Sequence, residues 1–450
     1  EPDNQKSRFP GLAVGVPGTV AGFAEAFEKH GSGKLTWAEL VAPAIGLAEN
    51  GIEVTPDLAA SLTASAKRLL QDPATAAIFY KTGGLPFVPG ETLKQTDLAA
   101  TLKLIADKGA AGFYTGEVAE KIAQKVTASG GGMTKEDLAG YKPVWRDPVV
   151  GSYHGYQIAS MPPPSSGGVH IVQILNMLQG YPLAEYGPNS ADSIHVMAET
   201  MRRAYADRSK YLGDPDFVDV PVKGLTDPAY AAELVKSIKM DVATPSEEVK
   251  PGDPFPYESN QTTHYSVVDK DGNAVSNTYT LNFSYGVGLT ADGTGVLLNN
   301  ELDDFSAKPG VPNAYGLIGG TANAVEGGKR PLSSMSPTLV FKDGKLFLAT
   351  GSPGGSRIIT TTLQIILNVV DHGMNIAEAT AAPRIHNQWL PDEIRIEEGL
   401  SPDTIRLLEA RGHKVEVKNA MGSTQSIMLV DGVLAGASDP RRPGALSAGY

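Results

Sequence analysis

The chain has 450 residues with 41% hydrophobic and 20% charged side chains, enough apolar material to bury a sizeable core. Its formal net charge is -12 and its pI about 5.2, which argues against nucleic acid or anionic membranes as partners, since both require basic surfaces. There are no cysteines, so disulfides, thiolate metal sites and a cysteine nucleophile are excluded, and no apolar run approaches the roughly 20 residues of a membrane-spanning helix.

The first half reads mainly as helices. Thr36-Trp-Ala-Glu39 is a capping-box pattern, followed by apolar Leu40, Val41, Ala44 and Leu47 and closed by Gly51. Residues 96–108 and 117–127 repeat the logic, each ending at glycine-rich sequence. A strand pair is predicted over 149–160 around His154-Gly155, then helices over about 169–178 and 192–211. Residues 245–260 hold four prolines and no apolar period, which predicts an exposed connection.

From Thr262 onward the pattern becomes hairpins, with Asp-Gly turns at 271–272, 343–344 and 431–432 between alternating strands. Helices are expected at about 356–371 and 402–411. Helices followed by hairpins suggest an α+β layered fold.

Four stretches could carry chemistry. In Gly351-Ser-Pro-Gly-Gly-Ser356 an apolar strand runs into a glycine turn and a helix runs out. Outward N–H groups backed by a helix dipole suit an oxyanion hole, although a tight structural turn fits equally well. At Gln261-Thr262-Thr263 a linker meets a strand. A threonine freed there by chain cleavage would use its own α-amine as base; the plainer reading is a β-branched strand residue. Glu301 and Asp304 lie three apart, on one face of a helical turn, where they would hold an ammonium group or form a solvated acidic surface. Ser333 and Ser334 would bind a carboxylate or shape a turn. The eight histidines fall in no ligand spacing, so neither metal nor cofactor is expected.

Ordered motifs span nearly the whole chain: GVPGTVAGF (15–23), PPPSSGG (162–168), RRAYADR (202–208), SNQTTHYSVVDKDGNAV (259–275), TYTLN (278–282), LLNNELDDFSAKPGVPNAYG (297–316), RPLSSMSPT (330–338), GSPGGSRIITT (351–361), MGSTQSI (421–427) and GASDPR (436–441). Together they resemble the γ-glutamyltranspeptidase family of N-terminal nucleophile hydrolases. The resemblance implies a four-layer αββα sandwich and self-cleavage between Gln261 and Thr262. A large fragment, 1–261, and a small fragment, 262–450, would then pair as a heterodimer of one domain. It implies Thr262 as nucleophile, Thr280 orienting its amine, and Gly354 and Gly355 as oxyanion donors. Asn282, Glu301 and Asp304 would bind the substrate α-ammonium, Ser333 and Ser334 its α-carboxylate, and Tyr315 would close a lid loop over the site. Glutathione or other γ-glutamyl compounds would be donors, with water, amino acids or peptides as acceptors, in a periplasmic or secreted setting. Family members also carry an N-terminal arginine that pairs with the substrate carboxylate. The matching region here begins after it, so that arginine has no assignment in this sequence. Two alternatives stand beside this expectation, a glutaryl-cephalosporin acylase of the same superfamily and a catalytically silent truncated homologue.

Overall fold

The computed structural model describes residues 6, 8, 9, 11–252, 263–306 and 320–449. It divides into two compact units. One takes Glu1–Trp145 and Leu281–Asp303, the other Arg146–Thr280 and Asp304–Tyr450. Each unit therefore draws chain from both sides of the Gln261–Thr262 bond.

The smaller unit is helical. The Thr36 capping box forms as expected and opens helix Trp37–Asn50, while Thr96–Lys108 and Gly116–Ala128 follow the predicted pattern. Their apolar faces meet around Ile122, Leu138, Phe113 and Leu298, all at most 5% exposed. Burial of each such side chain contributes about 1.5–3 kcal/mol. The buried carboxylate Asp72 pairs with Lys125 at 2.5 Å and accepts the Thr75 hydroxyl at 2.8 Å. Burial by itself would raise its pKa, but these donors bring it below the ordinary value.

In the larger unit, a six-stranded antiparallel sheet contains β1 (Val149–Tyr153), β2 (Tyr156–Ser160), β5 (Thr338–Lys342), β6 (Lys345–Thr350), β7 (Gln425–Val430) and β8 (Val433–Ser438). Its spatial order is β8-β7-β6-β5-β2-β1. The central register sets Ser160 of β2 opposite Thr338 of β5. Between β2 and β5 in sequence comes a separate hairpin of β3 (Thr263–Val268) and β4 (Ala274–Tyr279). Short polar side chains tie it to the large sheet. The Ser266 hydroxyl donates to the Gln425 carbonyl at 2.9 Å, and the Ser276 hydroxyl to that of Thr350 at 2.9 Å.

Helices α1 (Gly167–Leu178), α2 (Ala191–Tyr211) and α3 (Arg357–Val370) share a core with the sheet, in which Tyr153, Ile158, Ile174, Met201, Val340 and Leu348 are buried. Helix, sheet and hairpin thus form successive layers of an α+β fold. Helix α2 carries many charges yet is buried over nearly its whole length. Its Glu199 meets Arg202 and Arg203, the latter at 2.6 Å, and accepts the Thr244 hydroxyl at 2.7 Å. Burial pushes the Glu199 carboxyl up, but the two guanidinium groups hold it below the usual range.

One expectation is corrected here. The described part of the 245–260 connection is not simply exposed, because Ser246 and Val249 are buried. The Ser246 hydroxyl accepts from Arg202 at 3.1 Å, and the Val249 carbonyl accepts from the Trp389 indole at 3.0 Å. Proline composition gave no sign of these anchors.

Candidate active site

Strand β6 ends at Thr350, and the chain then turns through Gly351, Ser352 and Pro353 to Gly354 and Gly355 before α3 begins. Gly351 has no room for a side chain, since a Cβ there would lie 2.4 Å from Cε1 of His264. Gly354 and Gly355 have φ of 134° and 62°, conformations that L side chains rarely adopt. The Ser352 hydroxyl accepts from the Ser423 N–H at 3.0 Å and donates to the Pro353 carbonyl at 2.7 Å. No acceptor among the described residues meets the N–H of Gly354 or Gly355. The turn is therefore tightly held on its inner side and keeps two donors at a helix N-terminus, the arrangement that favours a developing negative charge.

The Ser333-Ser334 pair packs against the PPPSSGG loop at the start of α1. The Ser333 carbonyl accepts from the Ser166 N–H at 2.8 Å, and the Ser333 hydroxyl accepts from the Met335 N–H at 2.9 Å. The turn-shaping reading of Ser333 is thus realised. Ser334 is buried, and its hydroxyl accepts from Arg208 of α2 at 2.9 Å. The same guanidinium donates to the Ser166 hydroxyl at 2.8 Å. A buried cation behind two serine hydroxyls makes the neighbourhood suitable for an anionic group.

In the smaller unit, the acidic run begins in a cradle of asparagines. The Asn299 side chain bonds both the N–H and the carbonyl of Gly15, at 2.9 and 2.8 Å, which gives the GVPG stretch its structural role. Its Oδ1 also accepts the Glu301 N–H at 2.9 Å. Asn282 sits at a φ of 66° and donates from Nδ2 to the Asn300 carbonyl at 3.0 Å. Its own N–H donates to the Glu301 carboxyl, whose Oε1 is shut away from solvent with no partner among the described residues. Burial raises this carboxyl from its ordinary value to about 8. Residues Glu301–Asp304 form the expected helical turn.

In the larger unit Asp304 is buried, and its carbonyl accepts from Asn323 at 2.7 Å. Thr280 is half-buried just beyond β4. Thr263 opens β3 opposite Tyr279. Gln261, Thr262, Tyr315 and residues 309–319 lie outside the described residues. His264, two positions after Thr262, is buried between the Thr278 hydroxyl at 2.9 Å and the Ser266 hydroxyl at 3.1 Å, and burial drives its pKa down to about 4. It therefore stays neutral at physiological pH.

The structure thus brings the sequence candidates into three local groups: Gly354 with Gly355, Ser333 with Ser334, and Asn282 with Glu301. Chemical reading of isolated stretches missed Arg208, Asn299 and His264. Arg208 is recognisable only once α2 is seen to be buried, since a fully buried basic side chain calls for a partner.

The sequence model of the family described as gamma-glutamyltranspeptidase matches residues 1–449. The chain belongs to the γ-glutamyltranspeptidase family. It is 58% identical over 451 residues to the glutathione hydrolase proenzyme of Escherichia coli K12, covering all of this chain and 77% of that protein. It is 40% identical over 434 residues to the acylase ACY 1 proenzyme of Pseudomonas sp. SE83, covering 96% and 74% of the two chains. The crystal structure of a cephalosporin acylase from Bacillus halodurans superposes with a TM-score of 0.85 at 30% identity, over 97% of this chain and 79% of the other. The fold of this γ-glutamyltranspeptidase family member is therefore that of the N-terminal nucleophile hydrolases, as its layers and motifs led one to expect. The activity that goes with the family is γ-glutamyl hydrolysis and transfer. Among the described residues no helix is long and apolar enough to cross a membrane.

Proposed function

We propose that the chain is the precursor of a γ-glutamyl hydrolase and transpeptidase that cleaves itself between Gln261 and Thr262. The fragments 1–261 and 262–450 remain paired and contribute to one catalytic domain, in the periplasm or outside the cell. The donor is glutathione or another γ-glutamyl compound. The Thr262 hydroxyl attacks the γ-carbonyl carbon while its own α-amine, oriented by Thr280, takes the hydroxyl proton. The carbonyl oxygen becomes an oxyanion facing the N–H groups of Gly354 and Gly355. Collapse breaks the amide C–N bond, and the departing nitrogen receives the proton held by the amine. Water or an acceptor amine then attacks the ester, losing its proton to the same amine, and Thr262 is released.

Remote ends of the donor set its position. Asn282, Glu301 and Asp304 receive the α-ammonium, Ser333 and Ser334 the α-carboxylate, and Tyr315 covers the bound donor. Holding both ends lets binding energy orient the reacting carbon. The observation that carries this reading is the Glu301 carboxyl, enclosed and with one oxygen lacking a partner. An enclosed carboxylate costs free energy until a cation meets it, and a γ-glutamyl donor brings one where a glutaryl group does not.

Likeness to proteins named acylases favours a second reading, glutaryl transfer. The experiment is intact-mass measurement of purified, incubated protein beside Thr262→Ala, followed by turnover of γ-glutamyl and glutaryl anilides. Two fragments absent from the variant, with preference for the γ-glutamyl anilide, are expected. Preference for the glutaryl anilide would replace the proposal with the acylase reading. An uncut, inactive parent would point to a silent homologue.

A further inference from the structure

The oxyanion turn is built of glycines, and glycines cannot hold themselves. With no side chains, Gly354 and Gly355 take their direction from whatever fixes their neighbours. On one side that is Ser352, bonded to Ser423 and Pro353. On the other it is Ser356, fully buried, which is gripped at two atoms. Its carbonyl accepts the hydroxyl of Tyr205 from α2. Its own hydroxyl donates to Gln388 Oε1 at 2.8 Å.

The donors in this group can be assigned one by one. Gln388 Nε2 donates to the Leu390 carbonyl at 3.1 Å, so its Oε1 faces Ser356 as an acceptor. That oxygen also lies 2.9 Å from His386 Nε2, which must then carry the proton. His386 Nδ1 is left as acceptor for the Thr360 hydroxyl at 2.8 Å. Thr360 belongs to α3, the helix that the turn opens. The His386 ring also stands edge-on to Tyr205, with centroids 5.7 Å apart. Helix α2, the 386–390 segment and α3 therefore converge on the single residue that follows the two glycines.

We propose that Tyr205 and Gln388 are positioning residues for catalysis, acting through Ser356 to aim the Gly354 and Gly355 N–H groups at the tetrahedral oxyanion. The inference rests on the γ-glutamyl transfer reading above. Donors fixed before the reaction need no reorganisation as charge develops, which is where their catalytic value lies. Loosening the brace leaves both donors present but less well aimed, so the effect is smaller than deleting one of them.

The test compares Tyr205→Phe and Ser356→Ala with the parent, all as cleaved protein. Tyr205→Phe keeps the ring and loses only the hydroxyl; Ser356→Ala keeps the fold's packing if the first variant misfolds. For a γ-glutamyl anilide, kcat is expected to fall about tenfold, against the 10²–10³ typical of losing an oxyanion donor outright, with KM unchanged. Affinity for a γ-boronic acid analogue of glutamate, which becomes tetrahedral and anionic on the Thr262 hydroxyl, is expected to weaken in step with kcat, while affinity for glutamate stays put. A lowered melting temperature with kcat unchanged overturns the proposal, as does equal weakening toward boronate and glutamate. If the parent itself neither cleaves nor turns over the anilide, the functional reading fails and the catalytic role of the brace fails with it. An active parent with unaffected variants sinks the brace alone.

Discussion

The glycine turn at 351–355 and the acidic turn at 301–304 face opposite demands. Around the glycine turn the neighbouring hydroxyls and rings are bonded in a determined order, from Ser352 through Ser356 to His386. In the acidic turn the backbone is equally well anchored through Asn299 and Asn300, yet the Glu301 carboxyl is enclosed with one oxygen unmatched. On the proposed mechanism the first region is finished in the free protein, because oxyanion donors must be rigid before charge appears. On the same proposal the second is completed by the donor's ammonium group. The difference teaches that a site stores precision in one place and unmet affinity in another.

The sharpest way to break the comparison is Gly351→Ala. The new methyl would stand 2.4 Å from the buried His264 ring, and overpacking at such a point costs about 3 kcal/mol. The urea midpoint should fall accordingly, and turnover should be lost through displacement of the turn. A variant of parental stability would mean that the hairpin and sheet yield easily.

Glu301→Gln tests the other region and should act on affinity. Losing a charge-assisted bond to the donor ammonium is expected to raise KM by roughly 10–100-fold, about 1.5–3 kcal/mol, while stability holds or rises. The pH dependence has a definite sign. The folded, ligand-free protein holds the Glu301 proton more tightly than the unfolded chain, with its carboxyl raised from 4.5 to about 8. This contribution to stability is full below pH 4.5 and is lost as pH rises through about 8. Melting temperatures of the parent should show that decline, and the glutamine variant should flatten it. Binding of a cationic donor requires the ionised carboxylate, so donor affinity should increase over the same interval. Absence of both trends would remove Glu301 from the ammonium site.

The smallest effect is expected from Ser352→Ala, which leaves the Ser423 N–H without its acceptor in a buried setting. A cost of about 1 kcal/mol is expected from denaturant unfolding, with a smaller loss of kcat than for Tyr205→Phe because the brace through Ser356 remains. A loss of kcat as large as that of Tyr205→Phe would show that the two ends of the turn are equally demanding.

Much of this architecture was legible in the sequence because it is local. The Thr36 capping box, the Asp-Gly hairpins and the strand–turn–helix around Gly354 rest on residues a few positions apart, and each formed where expected. The two conformationally demanding glycines were likewise visible as glycines. What the sequence did not disclose depends on distant pairing. Arg208 meets Ser334 across 126 positions, and Tyr205 meets Ser356 across 151. No periodicity reports such a bond. The burial of α2 was hidden for the same reason: its charges are accommodated only because Glu199, Arg202 and Arg203 satisfy one another. The anchored stretch around Ser246 and Val249 failed as a prediction because the residues that hold it, Arg202 and Trp389, lie far along the chain.

The β2–β5 ladder has a consequence for how the protein can be made. Strands β1 and β2 precede the Gln261–Thr262 bond, and the other four strands of that sheet follow it. If the chain is cut there as proposed, this ladder becomes a seam between two polypeptides. Produced separately, each piece would present a raw strand edge, Ser160 and its neighbours on one and Thr338 and its neighbours on the other, and open edges of this kind recruit other chains. Synthesis as one chain, with scission after the sheet has closed, would leave neither edge open in the folded product.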